Sequence, residues 1–322
     1  MATVTVVVPT YNAAPYIGQT LDSVIAQRHD DWRLIVVDDG SSDGTQDVVA
    51  DYTRRDPRIS AASTPQPRSG PARGRNVGIE LAAEDTEFFL FLDHDDWLHD
   101  TALAVLVDDL KRVPDAPAAY GLADEYSESL GRSRIGGPSD AYGYERSRVT
   151  GRTVAPLALD EPTGFDTLVL WSCISTTGQG LVRAADLRRV GGFDPSTAWS
   201  DDWDVWLRLA ADHPLVFRPE FVMSKRYHDA NLSSGQTPSP ADWGGGLAVR
   251  RKLISAPWLT DEQRRQAKAG WRYESVMVLG WARAELRHRN YKAALTTTVR
   301  AANAYRRFLR YYGAARLQRL RS

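Results

Sequence analysis

The chain is 322 residues long, 43% hydrophobic and 25% charged, which suits one large or two modest globular domains with real cores. Its single cysteine, Cys173, excludes an internal disulfide framework and a cysteine-based zinc site, fits a reducing compartment, and reads as a small core residue. The net charge of −1 hides a split: residues 261–322 carry 15 Lys and Arg against 4 Asp and Glu, while the preceding 260 residues carry 25 against 37.

Thr3–Val8 is β-branched and apolar, a first buried strand. Pro9-Thr10-Tyr11-Asn12 breaks it, and Ile17, Leu21, Val24 and Ile25 then recur with helical period behind Pro15. Trp32–Val37 is a second strand, closed by Asp38-Asp39-Gly40-Ser41-Ser42-Asp43-Gly44-Thr45, a turn followed by a helix cap. A helix over Gln46–Arg54, a short strand at Ile59–Ala61, a helix near Ala72–Ala82 and a strand at Phe88–Leu92 follow. This alternation argues an α/β fold with a mostly parallel sheet and right-handed crossovers. A helix at Thr101–Leu110 comes next. Beyond it, a strand is expected at Ala118–Leu122, a hairpin over Asp124–Ile135 and a mobile loop over Arg134–Gly151. Helices are expected at Phe165–Ile174, Asp186–Val190 and Trp203–Ala211, and strands at Gly180–Arg183, Leu215–Phe217 and Val222–Arg226. Ser233–Gly246 reads as a linker into a helical, basic end. No apolar run reaches transmembrane length, and Met1 leads straight into a strand with no signal-like segment, so a cytoplasmic location is expected.

Chemistry gathers in two acidic clusters. Asp93-His94-Asp95-Asp96 follows a buried strand, where α/β folds place their ligands. Carboxylates this crowded repel one another unless neutralised, and a hard cation shared with a phosphate ligand is one neutraliser; the alternative is an acidic helix cap. Pro9, Thr10, Tyr11 and Asn12 end the first strand and Asp39 ends the second, on the same sheet edge. That edge suits a nucleotide: Tyr11 offers a ring face to the base, Asp39 an acceptor for a base N–H, and Asp93 a partner for ribose. An ordinary β-turn with a cap explains Asp38–Thr45 equally well. Arg75, on the helix leading to the acid strand, is placed to grip a carboxylate or a diphosphate. The second cluster is Gly191-Gly192-Phe193-Asp194, then Trp199-Ser200-Asp201-Asp202-Trp203. Asp202, or its rival Asp201, is the candidate general base, with Trp199 and Trp203 as ring faces for an acceptor sugar. His228, past the last strand, is either a metal ligand or a solvated loop histidine. Gly-x-Gly-x-x-Gly after the first strand, the phosphate-loop motif and Gly-x-Ser-x-Gly are all absent.

Together, Val6-Val7-Val8-Pro9-Thr10-Tyr11-Asn12, Val36-Val37-Asp38-Asp39-Gly40-Ser41, Gly74-Arg75-Asn76-Val77-Gly78, Phe91-Leu92-Asp93-His94-Asp95-Asp96, Gly191-Gly192-Phe193-Asp194 and Asp201-Asp202 resemble glycosyltransferase family 2 in order and register over roughly residues 3–233. The resemblance implies the GT-A fold and inverting, metal-dependent transfer from a nucleotide-sugar, UDP-linked most readily. It implies Asp93-His94-Asp95 as the Asp-x-Asp motif, with Mn²⁺ or Mg²⁺ at Asp95 and either ribose or the metal at Asp93; His228 is a further candidate ligand on its position alone. It also implies Thr10, Tyr11, Asp39 and Arg75 at the donor, and Asp202 as base, with Asp201 in place of the family's glutamate. The expected layout is a nucleotide-sugar half at 1–110, an acceptor and base half at 111–235, and a basic helical extension at 240–322. Carbohydrate, lipid-linked and small-molecule acceptors all fit. The arginines of residues 301–322 suit either a peripheral contact with an anionic membrane or a packed terminal helix with a solvated basic face. Nucleic acid is not an expected partner. The rival readings are a sugar nucleotidyltransferase, which lacks its glycine-rich loop here, and a non-catalytic carbohydrate-binding or scaffold protein. An arginine-to-lysine ratio of 35 to 5 fits a GC-rich, bacterial genome.

Overall fold

The computed structural model describes residues 3–133, 137, 141, 144–150, 153–197, 200–228 and 240–272. Strands β1 (Val4–Thr10), β2 (Trp32–Asp38), β3 (Ile59–Ser63) and β4 (Phe88–Phe91) alternate with helices α1 (Ile17–Ile25), α2 (Thr45–Arg55) and α3 (Pro71–Leu81). The four strands are parallel in the order β3-β2-β1-β4. β1 is buried along its whole length. Val4, Val6 and Val8 face the core under α1 and α2, and Val7 faces the opposite core, where α3 packs. The chain leaves β1 toward β2 on one side, while β4 lies on the other. The loops after β1 and β4 therefore part at a topological switch point, and a crevice opens between them.

The sheet continues through elements of the second half: β5 (Trp97–Leu98), α4 (Ala102–Arg112), β6 (Ala118–Ser127), β7 (Arg132–Ser133), β8 (Ser147–Thr150), β9 (Thr153–Pro156), α5 (Phe165–Leu168), β10 (Gly180–Arg183), α6 (Ala184–Arg189), α7 (Asp201–Leu209), β11 (Val216–Tyr227) and α8 (Pro240–Ser255). The full order is β3-β2-β1-β4-β10-β6-β11-β5, with β7 on β6, and β8 and β9 form a separate hairpin. β10 is antiparallel to both β4 and β6, and β11 is parallel to β6. By that parity β6 and β11 end on the same edge as β4, whereas β10 begins there. Asp93, Thr176 and His228, distant in sequence, thus arrive at one rim.

Several expectations need correcting. The helix expected at Phe165–Ile174 is one turn, α5, after which Cys173 and Ile174 are buried in irregular chain. The loop expected over Arg134–Gly151 contains β8, and beside it Arg146 is fully buried, donating to the carbonyls of Glu161 and Ala158 at 2.6 and 2.7 Å. That internal accounting of donors ties the hairpin down. The two strands expected at Leu215–Phe217 and Val222–Arg226 are one, β11, bulged around Phe221. From Pro240 the expected linker is already α8, and its earlier part lies outside the described residues, as do the basic tail 301–322 and Trp199. Among the described residues no helix is long and apolar enough to cross a membrane.

Candidate active site

The loop after β1 and the loop after β2 are stitched together. Asn12 N donates to Ser41 Oγ (2.9 Å), Ala13 N to Thr45 Oγ1 (2.8 Å) and Ala14 N to Asp43 Oδ2 (3.1 Å), while Ser42 N returns a bond to Asn12 Oδ1 (2.8 Å). Asn12 adopts φ 49°, a left-handed turn that asparagine tolerates. Much of Asp38–Thr45 is therefore a clasp. Asp38 accepts from Ser41 and Gln46. Asp39 is buried and accepts from Thr64 Oγ1 (2.5 Å), Ser69 Oγ (2.9 Å) and Gly70 N (2.8 Å). Burial opposes its charge, yet these donors outweigh burial and hold its carboxyl below the usual value. Asp39 is the keystone of the loop that leads into α3. Tyr11 lies half-exposed beneath the Arg68 guanidinium, 5.8 Å from the ring centre. Thr10 Oγ1, at the end of β1, is buried with no hydrogen-bond partner among the described residues.

Arg75 joins the two acidic clusters. It is 5% exposed on α3, with its guanidinium 5.2 Å from the centre of the Phe193 ring. One end donates to Asp93 Oδ1 at 2.7 Å and the other to Asp201 Oδ2 at 2.6 Å. Burial works against its charge, but Asp201, Asp93 and Asp202 more than reverse that, so the guanidinium is held firmly protonated. Asp93 is likewise held below its ordinary value, because Arg75 overcomes the cost of burial. Its second oxygen accepts from Thr176 Oγ1 at 3.2 Å. Asp96 is different: burial first, then Asp95 and Asp93, hold its carboxyl well above the usual range.

Asp201 and Asp202 open α7, where the helix dipole favours acids, but their surroundings differ. Asp201 is 4% exposed and committed to Arg75. Asp202 is half-buried and accepts from the backbone N–H of Trp203 at 2.7 Å. Burial, then the neighbouring Asp201 charge, push Asp202 up to about 7 despite Arg75. A carboxylate tuned that close to neutrality suits proton removal. The Gly191–Asp194 stretch fixes where α7 starts relative to α3. Gly191 and Gly192 have φ 84° and 68°. Asn76 and Phe193 exchange side-chain-to-backbone bonds of 2.8 and 2.9 Å. A Cβ on Gly192 would lie 2.7 Å from Asn76 Oδ1. Arg208 of α7 donates to the carbonyls of Val190 and Gly192.

Asp95 meets His228 on the same rim, His228 Nε2 to Asp95 Oδ2 at 3.1 Å, and the His228 ring stacks on Tyr16 with centroids 4.3 Å apart. Among the described residues no group of three or more His, Cys, Asp or Glu side chains is gathered as a ready-made cage. A carboxylate beside an imidazole still fits a cation that takes its other ligands from phosphate and water. The Nδ1 atom of His94 lies 3.2 Å from the Pro9 carbonyl.

Trp203 departs from expectation. It is 7% exposed, its indole N–H donates to Leu168 O at 2.7 Å, and the Arg250 guanidinium covers its ring at 5.0 Å. It is a core residue under α7 with no ring face free for an acceptor. Two cations escaped the sequence reading. Arg226 donates to the Asp95 carbonyl and to Glu128, and lies over Trp97 at 4.8 Å. Lys225 sits beside it, its charge favoured by Tyr227, Asp96, Asp93 and Asp202 against burial. Their signal was a Lys-Arg pair ending a strand two residues before His228.

A sequence model described as glycosyl transferase family 2 matches residues 5–153. An uncharacterized glycosyltransferase of Rickettsia typhi is 25% identical over 72% of this chain and 66% of its own length. Identity reaches 42% in a Bacillus subtilis relative, but over 98 residues, so the chain spans only 38% of that protein. Among solved structures, Staphylococcus aureus TarS residues 1–349 in complex with UDP-GlcNAc superposes with TM-score 0.59 at 17% identity, covering 85% of this chain and 72% of that 1–349 chain. The mannosyltransferase PcManGT of Pyrobaculum calidifontis, in complex with GDP-Man and Mn²⁺, gives TM-score 0.54 at 21% identity over 98% of this chain and 86% of its own. At those identities the likeness is one of fold, and the fold is GT-A.

Proposed function

Because residues 5–153 place the chain in glycosyl transferase family 2, we propose that it moves a sugar from a nucleoside-diphosphate donor to an acceptor hydroxyl by single displacement, with inversion at the anomeric carbon. The observation that carries this reading is the Arg75 bridge. One buried guanidinium holds Asp93 of the donor-side cluster and Asp201 of the acceptor-side cluster, which leaves Asp202, pushed up to about 7, next to both. Asp202 takes the proton of the attacking hydroxyl; general-base assistance is typically worth ~10²–10⁴-fold. Asp201 is the poorer candidate, since both its burial and its 2.6 Å pairing with the Arg75 guanidinium commit it to that bridge.

The donor lies across the rim formed by Pro9, Thr10, Tyr11, Asn12 and Asp39, with its ribose near Asp93. UDP is the favoured carrier, because TarS was solved with UDP-GlcNAc; PcManGT holds GDP-Man. Asp95 and His228, with Asp93, are the candidate protein ligands for Mn²⁺ or Mg²⁺, and a divalent ion bound there would offset charge on a departing diphosphate. Arg226, beside Asp95, is oriented to serve the same end. Residues 1–110 supply the donor half, 111–235 the acceptor and base half, and 240–322 the extension. The acceptor is a carbohydrate, lipid-linked or small-molecule hydroxyl met in the cytoplasm. The test is a panel of sugar nucleotides with Mn²⁺, assayed for donor hydrolysis and transfer. Asp202→Asn should bind nucleotide as the parent does and lose turnover. Parental turnover in that variant would remove Asp202 from the role.

A further inference from the structure

The helices after residue 240 brace the helix that carries Asp202. Lys252 of α8 sets its ammonium between two carboxylates, 2.8 Å from Asp194 Oδ2 and 2.8 Å from Asp204 Oδ2. Asp204 lies in the first turn of α7, two residues after Asp202, and is 2% exposed. Asp194 closes the Gly-Gly-Phe-Asp stretch, whose Phe193 is clasped by Asn76 and lies against Arg75. Lys252 therefore cross-links the start of α7 to the segment that registers it against Arg75. Two neighbours reinforce the brace. Arg250, two residues earlier on α8, covers the Trp203 ring and donates to the carbonyls of Val169 and Leu170 at 3.1 and 2.9 Å. Gln263 donates to the Ala211 carbonyl at 2.6 Å, just past the other end of α7. Residues 261–272 are helical and run so close that a Cβ on Gly270 would lie 2.3 Å from Val169 O.

We propose that Lys252 is a positioning residue for the reaction: by tying Asp194 to Asp204 it fixes the first turn of α7, and with it the direction in which the Asp202 carboxylate meets the acceptor hydroxyl. The inference rests on Asp202 being the base. Its physical warrant is the steepness of catalysis with geometry, a misplacement of about 1 Å costing up to ~10²-fold in rate. The arrangement also keeps the test clean. Asp204 has a second cation, Arg208, with Nε at 2.8 Å, so loss of Lys252 does not strand a buried charge, and Asp194 is partly exposed and finds water.

The experiment compares Lys252→Met, Lys252→Arg and Asp202→Asn in the full chain, measuring nucleotide affinity by calorimetry, then kcat, KM and the pH dependence of kcat on the donor found active with the parent. The expected result for Lys252→Met is a fall in kcat of about 10-fold or more, with nucleotide affinity and donor KM within twofold of the parent, a displaced acid limb of the pH profile, and recovery in Lys252→Arg. A Lys252→Met enzyme with parental kcat would overturn the inference while leaving the base assignment intact. Loss of nucleotide affinity in step with kcat would overturn it too, as the mark of a merely structural role. Full turnover in Asp202→Asn would instead sink the base assignment, and the positioning role with it.

Discussion

Replacing Asp202 with Asn should make the protein more stable above neutral pH, a consequence readable without any substrate. The Asp202 carboxyl is raised in the folded protein from 3.8 to about 7, burial being the first cause and the Asp201 charge the second. Between about pH 4 and pH 7 the folded chain holds a proton that the unfolded chain has released. The proton balance then makes stability fall as pH rises through that window, and flatten above it. A separation of about 3 units corresponds to about 4 kcal/mol at 1.36 kcal/mol per unit, and solvent at the half-buried carboxylate cuts this to about 1–3 kcal/mol. Asn is close in shape and keeps an oxygen for the Trp203 N–H, so the substitution removes the ionisation and little else. Urea denaturation from pH 4 to pH 9 should show the variant near the parent at pH 4 and more stable by about 1–3 kcal/mol at pH 8, or about 2–4 °C in Tm per kcal/mol. Parallel stability curves for parent and variant would show that the carboxyl is not raised, and the argument for its readiness as a base would fall with it.

Arg75→Met should be destabilising by about 3–5 kcal/mol in urea denaturation at pH 7, because it strands Asp93 and the buried Asp201; Arg75→Lys, which lacks the two-ended fork, should recover only part of that. Asp95→Ala should weaken calorimetric nucleotide binding in the presence of Mn²⁺ and leave metal-free binding unchanged, since it removes the carboxylate of the Asp95–His228 pair. Gly78→Ala should cost about 1–3 kcal/mol through overpacking, because its Cβ would sit 2.3 Å from Val7 Cγ1 where α3 crosses β1; thermal unfolding with parental stability would show that the helix moves freely there.

The first half of the fold was legible because its signals are local. β1, β2 and β4 are apolar runs buried on both faces, and their ends fall within about two residues of where the sequence puts them. Beyond Lys111 the chain uses long-range accounting instead. Arg146 looks like a loop residue in sequence, because its partners are the carbonyls of Ala158, Leu159 and Glu161 and the hydroxyl of Thr163, and no local pattern announces them. The apolar run after Phe165 reads as a helix, yet its buried residues fill the core below α7 and α8 as irregular chain. β5, two residues long, carries no period and exists because β11 needs an edge partner.

At the site, residue types were legible and assignments among them were not. Two adjacent aspartates at a helix start are chemically equivalent in sequence. What separates them is reach: Asp201 is paired with a guanidinium rooted 126 residues earlier, while its charge helps raise the Asp202 carboxyl. The tryptophans on either side of them, Trp199 and Trp203, suggested ring faces for a sugar, because an aromatic beside an acid reads the same whether it faces a cleft or a core. Trp203 is settled by the Leu168 carbonyl and by Arg250 of α8, a helix that the sequence reading treats as lying outside the site. That same helix supplies Lys252, so the orientation of the candidate base depends on a segment beyond the residues 5–153 that the family model matches.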